Sequence, residues 1–235
     1  MIRKVLIITL LMIGAVGVNA QRPEAGIFAG ASFYNGDINP GQPFGPSNTG
    51  YGFVYRHNLD TRLALKANVF RGGLESDEEL YAVRPFRDAR FSATVTDVAL
   101  TAEFNFLDFF IGSTKNKFSP YIFGGAGYYF YSGDYSAAGI ENSYSSSGFA
   151  LPFGIGAKYS LTKTLGLAFE WGYRKTFDDN VDGLQEYYHV EEGNALYGVQ
   201  MSNAVTNDWY SFAGISLTLD LSIFKREVCE NQPRN

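Results

Sequence analysis

Histidine and cysteine are nearly missing from this chain of 235 residues, which has two of the first and one of the second. A single thiol forms no intrachain disulfide, and so small a stock of Cys and His builds no structural zinc site. Charge is sparse too, at 18% of residues, and leans acidic: 19 Lys plus Arg against 24 Asp plus Glu, a net of −5. That balance gives no basic groove for nucleic acid. The N-terminal apolar run Val5 to Ile13 is short of the roughly 20 residues that a transmembrane helix needs. What the chain has in quantity is 26 Gly, 20 Phe and 16 Tyr, with 46% hydrophobic residues overall.

The run Val5 to Ile13 follows Arg3 and Lys4 and closes on Val18-Asn19-Ala20, the small-residue pattern of a secretory signal peptide. Cleavage is expected between Ala20 and Gln21, and because residue 21 is not Cys the mature chain is not an N-terminal lipoprotein. Removing Arg3 and Lys4 from the 19 basic residues leaves 17 against 24 acidic ones, a net of −7. The domain reading is residues 1–20 as signal peptide, 21–224 as an outer-membrane β-barrel and 225–235 as a periplasmic C-terminal tail.

Past residue 24 the hydrophobic period is two, the strand signature. Val98, Leu100, Ala102, Phe104 and Phe106 oppose Asp97, Thr101, Glu103 and Asn105. Leu165, Leu167, Phe169, Trp171 and Tyr173 oppose Gly166, Glu170, Arg174 and Thr176, and Ile215, Leu217, Leu219, Leu221 and Ile223 oppose Ser216, Thr218, Asp220 and Ser222. The pattern predicts eight strands, near 25–35, 49–58, 62–73, 91–106, 118–131, 147–160, 165–177 and 208–224. Long connections (36–48, 74–90, 132–146, 178–207) alternate with shorter ones (59–61, 107–117, 161–164). An even strand number with loops on one end and turns on the other predicts an all-β, eight-stranded antiparallel transmembrane barrel of the outer membrane. Both termini of such a barrel lie on the periplasmic side.

The charged residues Arg56, Lys66, Glu103, Lys158, Glu170, Arg174 and Asp220 fall on one strand face, and Leu, Ile and aromatics fill the other. A soluble sandwich or lipocalin-like barrel would invert this. An eight-stranded barrel is just wide enough for side chains to fill, so these charges are expected to pair inside as a structural network, with no conducting pore. Tyr51, Phe53, Tyr55, the run Tyr128-Tyr129-Phe130-Tyr131 and Trp209-Tyr210 are placed as aromatic girdles. Gly124-Gly125-Ala126-Gly127 and Gly154-Ile155-Gly156 have no helix after them, so they read as bends and space for bulky neighbours rather than as a phosphate loop.

Chemistry finds little purchase. His57 stands beside a short turn with no nucleophile, and His189 sits in a long loop among Glu186, Glu191 and Glu192. The Asp178-Asp179-Asn180-Asp182 group lacks the spacing of a calcium loop. The reading is no enzyme, no metal, no cofactor and no small-molecule substrate. Cys229, in the tail, is a candidate for an intermolecular disulfide in an oxidising compartment.

Several strings in order resemble the PorG-type outer-membrane barrels of the type IX secretion system in Bacteroidota. They are Gly30-Ala31-Ser32-Phe33-Tyr34-Asn35-Gly36-Asp37-Ile38-Asn39-Pro40, Tyr51-Gly52-Phe53-Val54-Tyr55-Arg56 and Glu103-Phe104-Asn105-Phe106. Further on stand Phe118-Ser119-Pro120-Tyr121-Ile122-Phe123-Gly124-Gly125, Pro152-Phe153-Gly154-Ile155-Gly156-Ala157-Lys158-Tyr159-Ser160-Leu161 and Leu167-Ala168-Phe169-Glu170-Trp171-Gly172-Tyr173-Arg174-Lys175-Thr176-Phe177. The resemblance covers nearly the whole mature chain. It implies a non-enzymatic accessory of protein export that anchors a periplasmic ring of the lipoprotein PorK and its partner PorN, and that supports gliding where gliding occurs. Under it, residues 57–62, 107–118, 160–164 and the tail form the periplasmic grip, with Asp108, Lys115 and Lys117 as polar handles. Phe224 is followed by eleven residues, a departure from barrels that end on an aromatic. The competing expectation is a stand-alone OmpX-like surface barrel or adhesin that works through its extracellular loops.

Overall fold

The structure, a computed structural model, describes residues 22–35, 47–77, 90–137, 140–177 and 209–224. These form β1 (Arg22–Asn35), β2 (Ser47–Asn58), β3 (Leu63–Asp77), β4 (Arg90–Asn105), β5 (Phe118–Ala137), β6 (Ile140–Ser160), β7 (Leu165–Thr176) and β8 (Trp209–Asp220), with a 3-10 turn over Leu221–Phe224. Each strand pairs antiparallel with the next, and β8 pairs back to β1 from Glu24↔Asp220 to Asn35↔Trp209, so the barrel is closed. Closure removes every sheet edge at the level of the pairing, the condition for a sheet to cross lipid.

Alternation sorts side chains by face. The outward set of β3 is Leu63, Leu65, Ala67 and Val69, that of β4 runs from Thr96 through Val98 and Leu100 to Phe104, and that of β7 is Leu165, Leu167, Phe169, Trp171 and Tyr173. Large apolar groups are wide open on this surface: Leu100 is 61% exposed, Phe53 68% and Phe149 69%. Outward charges on the described strands (Arg71, Glu75, Asp77, Arg90, Asp134, Glu141 and Lys175) stand beyond this belt, toward the end where the longer connections lie. The nine residues Leu165–Tyr173, at about 3.3 Å each and a tilt near 40°, span roughly 20 Å, close to the ~25 Å apolar band of outer-membrane barrels.

Two elements depart from expectation. The stretch 132–146, expected as a long loop, is mostly strand, because β5 runs on to Ala137 and β6 starts at Ile140. Gly and Ser there suggest turn chemistry, but they pair: Ser132 stands opposite Ser145 and Gly133 opposite Tyr144, and Ser143 donates to Asp134 Oδ1 at 2.6 Å. With β3 and β4 also long, reaching Asp77↔Arg90, a four-stranded wall rises past the ends of β7 and β8. The other departure is at the last strand, which stops at Asp220 instead of continuing to 224. Asp220 Oδ1 accepts the Ser222 N–H at 2.8 Å and caps the 3-10 turn, which takes Leu221 and Ile223 out of the ladder.

Candidate functional site

Inside the barrel the side chains form two stacked layers. The first is ionic. Glu103, from β4, receives Arg56 Nε at 2.7 Å and Arg56 Nη2 at 3.3 Å, both from β2. Lys158 Nζ of β6 donates to the same carboxylate at 2.6 Å and Lys66 Nζ of β3 sits 3.2 Å away. Arg56 also bonds Glu24 at 2.8 Å, and Lys66 bonds Glu170, which takes a further hydrogen bond from Tyr121 OH at 2.7 Å. Asn58 and Asn105 complete the layer, on Glu24 and Lys158. Three cations thus meet three carboxylates with no net charge, all of them buried. Neutrality and saturation of donors are what allow ions to persist away from water. Gly156 makes this possible locally: a Cβ there would overlap the Tyr121 ring, whose hydroxyl holds Glu170.

The second layer is aromatic. Phe70 stacks on Phe212 at 5.0 Å, Phe28 meets both edge-on, and Tyr129 stacks on Tyr131 at 5.7 Å with Tyr210 against it. Between the layers Arg174 lies over Phe212 at 4.4 Å and pairs with Asp97 at 3.1 Å, and Tyr210 OH donates to the same Asp97 oxygen at 2.8 Å. A gap of about 20 Å³ bordered by Phe28, Arg56, Asn68 and Phe212 holds on the order of one water, far too little for an ion path. The described interior is a packed core.

Residues 106–117, between β4 and β5, fold back over the mouth at the end where the short turns lie. Phe109 and Ile111 are buried, and Ile111 packs against Gly166 and the neighbourhood of Thr218. Phe109 N–H donates to Thr61 O at 3.0 Å and Gly112 N–H to Ser160 Oγ at 2.8 Å. Gly112 has φ +85, the left-handed region that glycine takes without cost, and a Cβ on it would come within 2.6 Å of Lys163 O. Arg22, at the start of β1, latches the plug: it donates to Ile111 O at 3.3 Å, covers the Phe110 ring at 4.4 Å and lies 3.7 Å from Asp220. Outside, Arg62 Nε donates to Asp108 at 2.8 Å, which holds this exposed carboxyl below its ordinary range.

Of the sequence-selected charges, Arg56, Lys66, Glu103, Lys158 and Glu170 come together in one layer. Two pairings differ from expectation. Arg174 takes Asp97 rather than Glu103, Glu170 or Asp220, because the β4 and β7 registers put Asp97 and Arg174 a level above the ionic layer. Asp220 sits at the mouth with Arg22 and the 3-10 turn and meets none of the central cations. Glu24 was missed; its strand, rich in Gly and Ala, shows weak alternation. In the aromatic run only Tyr128 and Phe130 face out, while Tyr129 and Tyr131 are 1% and 3% exposed and fill the interior. Tyr210 likewise points in rather than joining a girdle. Residues 107–117, expected as a polar handle, spend Phe109 and Ile111 on the plug and leave Asp108, Lys115 and Lys117 outside. Among the described residues no group of three His, Cys, Asp or Glu is placed to hold a metal. Ala20, Gln21, His189, the Asp178 to Asp182 group, Cys229 and the tail lie outside the described residues.

A closed eight-stranded antiparallel barrel with an uncharged apolar belt and a neutral ionic core defines an integral β-barrel of the outer-membrane class. The chain belongs to the family described as "Domain of unknown function (DUF6089)", whose model matches residues 3–229. No curated protein matches it. Solved structures similar to it include the attachment invasion locus protein Ail of Yersinia pestis, in complex with the heparin analogue sucrose octasulfate. That match has 12% identity over 86% of this chain and 98% of that one, with a TM-score of 0.47. A major outer membrane protein from Thermus thermophilus is similar at 16% identity over 84% and 98%, TM-score 0.46, and Neisserial surface protein A at 12% over 86% and 95%, TM-score 0.43. These are likenesses of barrel architecture.

Proposed function

We propose that this protein is a non-enzymatic outer-membrane component of the type IX protein secretion system. In this reading it is a multi-pass barrel of the cell outer membrane with both termini in the periplasm. It anchors or associates with the periplasmic ring of PorK and PorN and is required for export of cargo, and for gliding where that occurs. The observation that carries the proposal is the filled interior closed by a plug: a barrel without a lumen works through its surfaces, and the plug offers a preformed face at the same end as Arg22 and Phe224, the first and last described residues. The resemblance of the strings between Gly30 and Phe177 to the PorG-type barrels supplies the identity of the partner. Cys229 in the 225–235 tail is the intermolecular disulfide candidate, and cleavage between Ala20 and Gln21 releases the mature chain.

The raised wall of β3 to β6, in which β5 has 20 residues and β6 has 21 against 12 each for β7 and β8, favours a second reading, a stand-alone OmpX-like surface barrel. Two deletions in the native host separate them. Under the export reading, shortening 178–207 leaves secretion of cargo intact and removing 225–235 impairs it; the opposite pattern rejects export and favours the surface barrel.

A further inference from the structure

Three lysines stand on one sector of the short-turn rim. Lys115 and Lys117 lie at the end of the plug segment and Lys163 in the β6–β7 turn, and the two segments are bonded together: Ser160 N–H donates to Lys117 O at 2.7 Å and Gly112 backs directly onto Lys163 O. The described acids of this end are already engaged. Asp60 Oδ1 accepts the Arg62 and Leu63 N–H groups at 2.6 and 2.8 Å, Asp108 accepts from Arg62 and Thr61, and Asp220 is buried on Ser222 and Arg22. None of the three lysines forms a close ion pair among the described residues, although Lys115 attracts the Asp108 carboxylate at longer range. Beside them Phe118 of β5 and Tyr159 of β6 stand directly opposite each other on the outward wall, and Phe106, Leu107 and Leu161 lie in the adjoining turn segments, each of the five more than 40% exposed. Exposed ammonium groups with no close acidic partner among the described residues, above a lipid-facing apolar rim, match the layout of a phospholipid, phosphate in the interface and acyl chains below.

We propose that Lys115, Lys117 and Lys163 form, with that rim, a binding site for the phosphate of an anionic phospholipid in the leaflet bordering the short-turn end. The site requires only that the barrel spans a membrane and stands apart from the export reading. An acidic protein would engage the same lysines but would have no use for the outward Phe118 and Tyr159 beside them, which is why the lipid is favoured. Each lysine near a charged interface contributes about fivefold in affinity, the equivalent of ~1 kcal/mol, so losing all three lowers retention on the order of a hundredfold.

The test is native mass spectrometry of the mature full-length barrel titrated with phosphatidylglycerol and, separately, phosphatidylcholine. The wild type and the triple variants K115Q/K117Q/K163Q and K115R/K117R/K163R are compared, each first shown to migrate as a folded barrel. The expected result is preferential retention of phosphatidylglycerol by the wild type and the arginine variant, its loss in the glutamine variant, and no displacement by inorganic phosphate. Equal retention by the glutamine variant overturns the proposal. So does displacement by inorganic phosphate, which would make this a free-anion site, or the finding that the lysines govern capture of a soluble protein while lipid retention is unchanged.

Discussion

Replacing Glu103 with Gln keeps the shape of the side chain and removes one formal charge from the centre of the ionic layer. Four donor contacts converge on this carboxylate, at 2.7 and 3.3 Å from Arg56, 3.2 Å from Lys66 and 2.6 Å from Lys158. The variant leaves three buried cations facing Glu24 and Glu170 alone and turns an amide N–H₂ toward them. Breaking a buried ionic group on one side costs about 3–5 kcal/mol, since the remaining charge has no water to return to. That is a factor on the order of 10² to 10³ or more in the unfolding equilibrium. Urea titration of the refolded barrel in lipid vesicles, followed by the fluorescence of Trp171 and Trp209, gives the difference, which the account places in the midpoint rather than in the slope. A second variant separates charge from packing: Lys66→Met added to Glu103→Gln returns the layer to two cations and two anions and should restore at least ~1 kcal/mol relative to the sum of the single effects. If Glu103→Gln unfolds within about 0.5 kcal/mol of wild type, or if the double variant is simply additive, a balanced buried network is the wrong description of this interior.

Three other perturbations reach other parts of the account. Gly112→Ala places a Cβ at a positive φ and near Lys163 O, which costs about 1–2 kcal/mol and should accelerate amide exchange in 106–117 while β4 stays protected; unchanged exchange in the plug contradicts it. Leu100→Arg, in the middle of the β4 outward face, should destabilise the barrel in bilayers by about 2–4 kcal/mol, and Thr96→Arg nearer the belt's edge by no more than ~1 kcal/mol; equal costs at the two sites would show that the belt is misplaced. Asp108 titrates below the usual ~3.9 of a free aspartate because Arg62 hydrogen-bonds and faces its carboxylate. A depressed folded value makes the tether a stabilising contact above the free-aspartate range that is lost as pH falls through the folded value, so carboxyl NMR should show the midpoint return upward in Arg62→Gln.

Strand number, closure and the facing of strands such as β4 and β7 were legible because a period of two survives wherever one face meets lipid and the other does not. The same logic marked Glu103 and Glu170. Partners were less legible, since pairing depends on register: Asp97 lies in the same alternating run as Glu103, yet only the β3–β4 and β7–β8 registers raise it to the level of Arg174 and Tyr210. In Tyr128-Tyr129-Phe130-Tyr131 every residue is aromatic, so the run carries no alternation to show which two face in. The plug was hidden for a related reason. Phe109 and Ile111 keep a strand-like spacing although the ladder has already ended at Asn105, and Gly112, at φ +85, marks the turn back over the mouth. The wall formed by β5 and β6 was obscured by Ser and Gly, whose turn preference is overridden when cross-strand hydroxyl bonds such as Ser143 to Asp134 are available.

The central proposal is that this filled barrel acts by holding a periplasmic assembly and not by passing a substrate. Affinity purification of the tagged mature protein from its native outer membrane, followed by mass spectrometry with and without reductant, tests it most directly. The account predicts recovery of the ring proteins PorK and PorN, one of them released from Cys229 only after reduction. Recovery of the barrel alone, in a detergent that keeps other outer-membrane complexes intact, would contradict it.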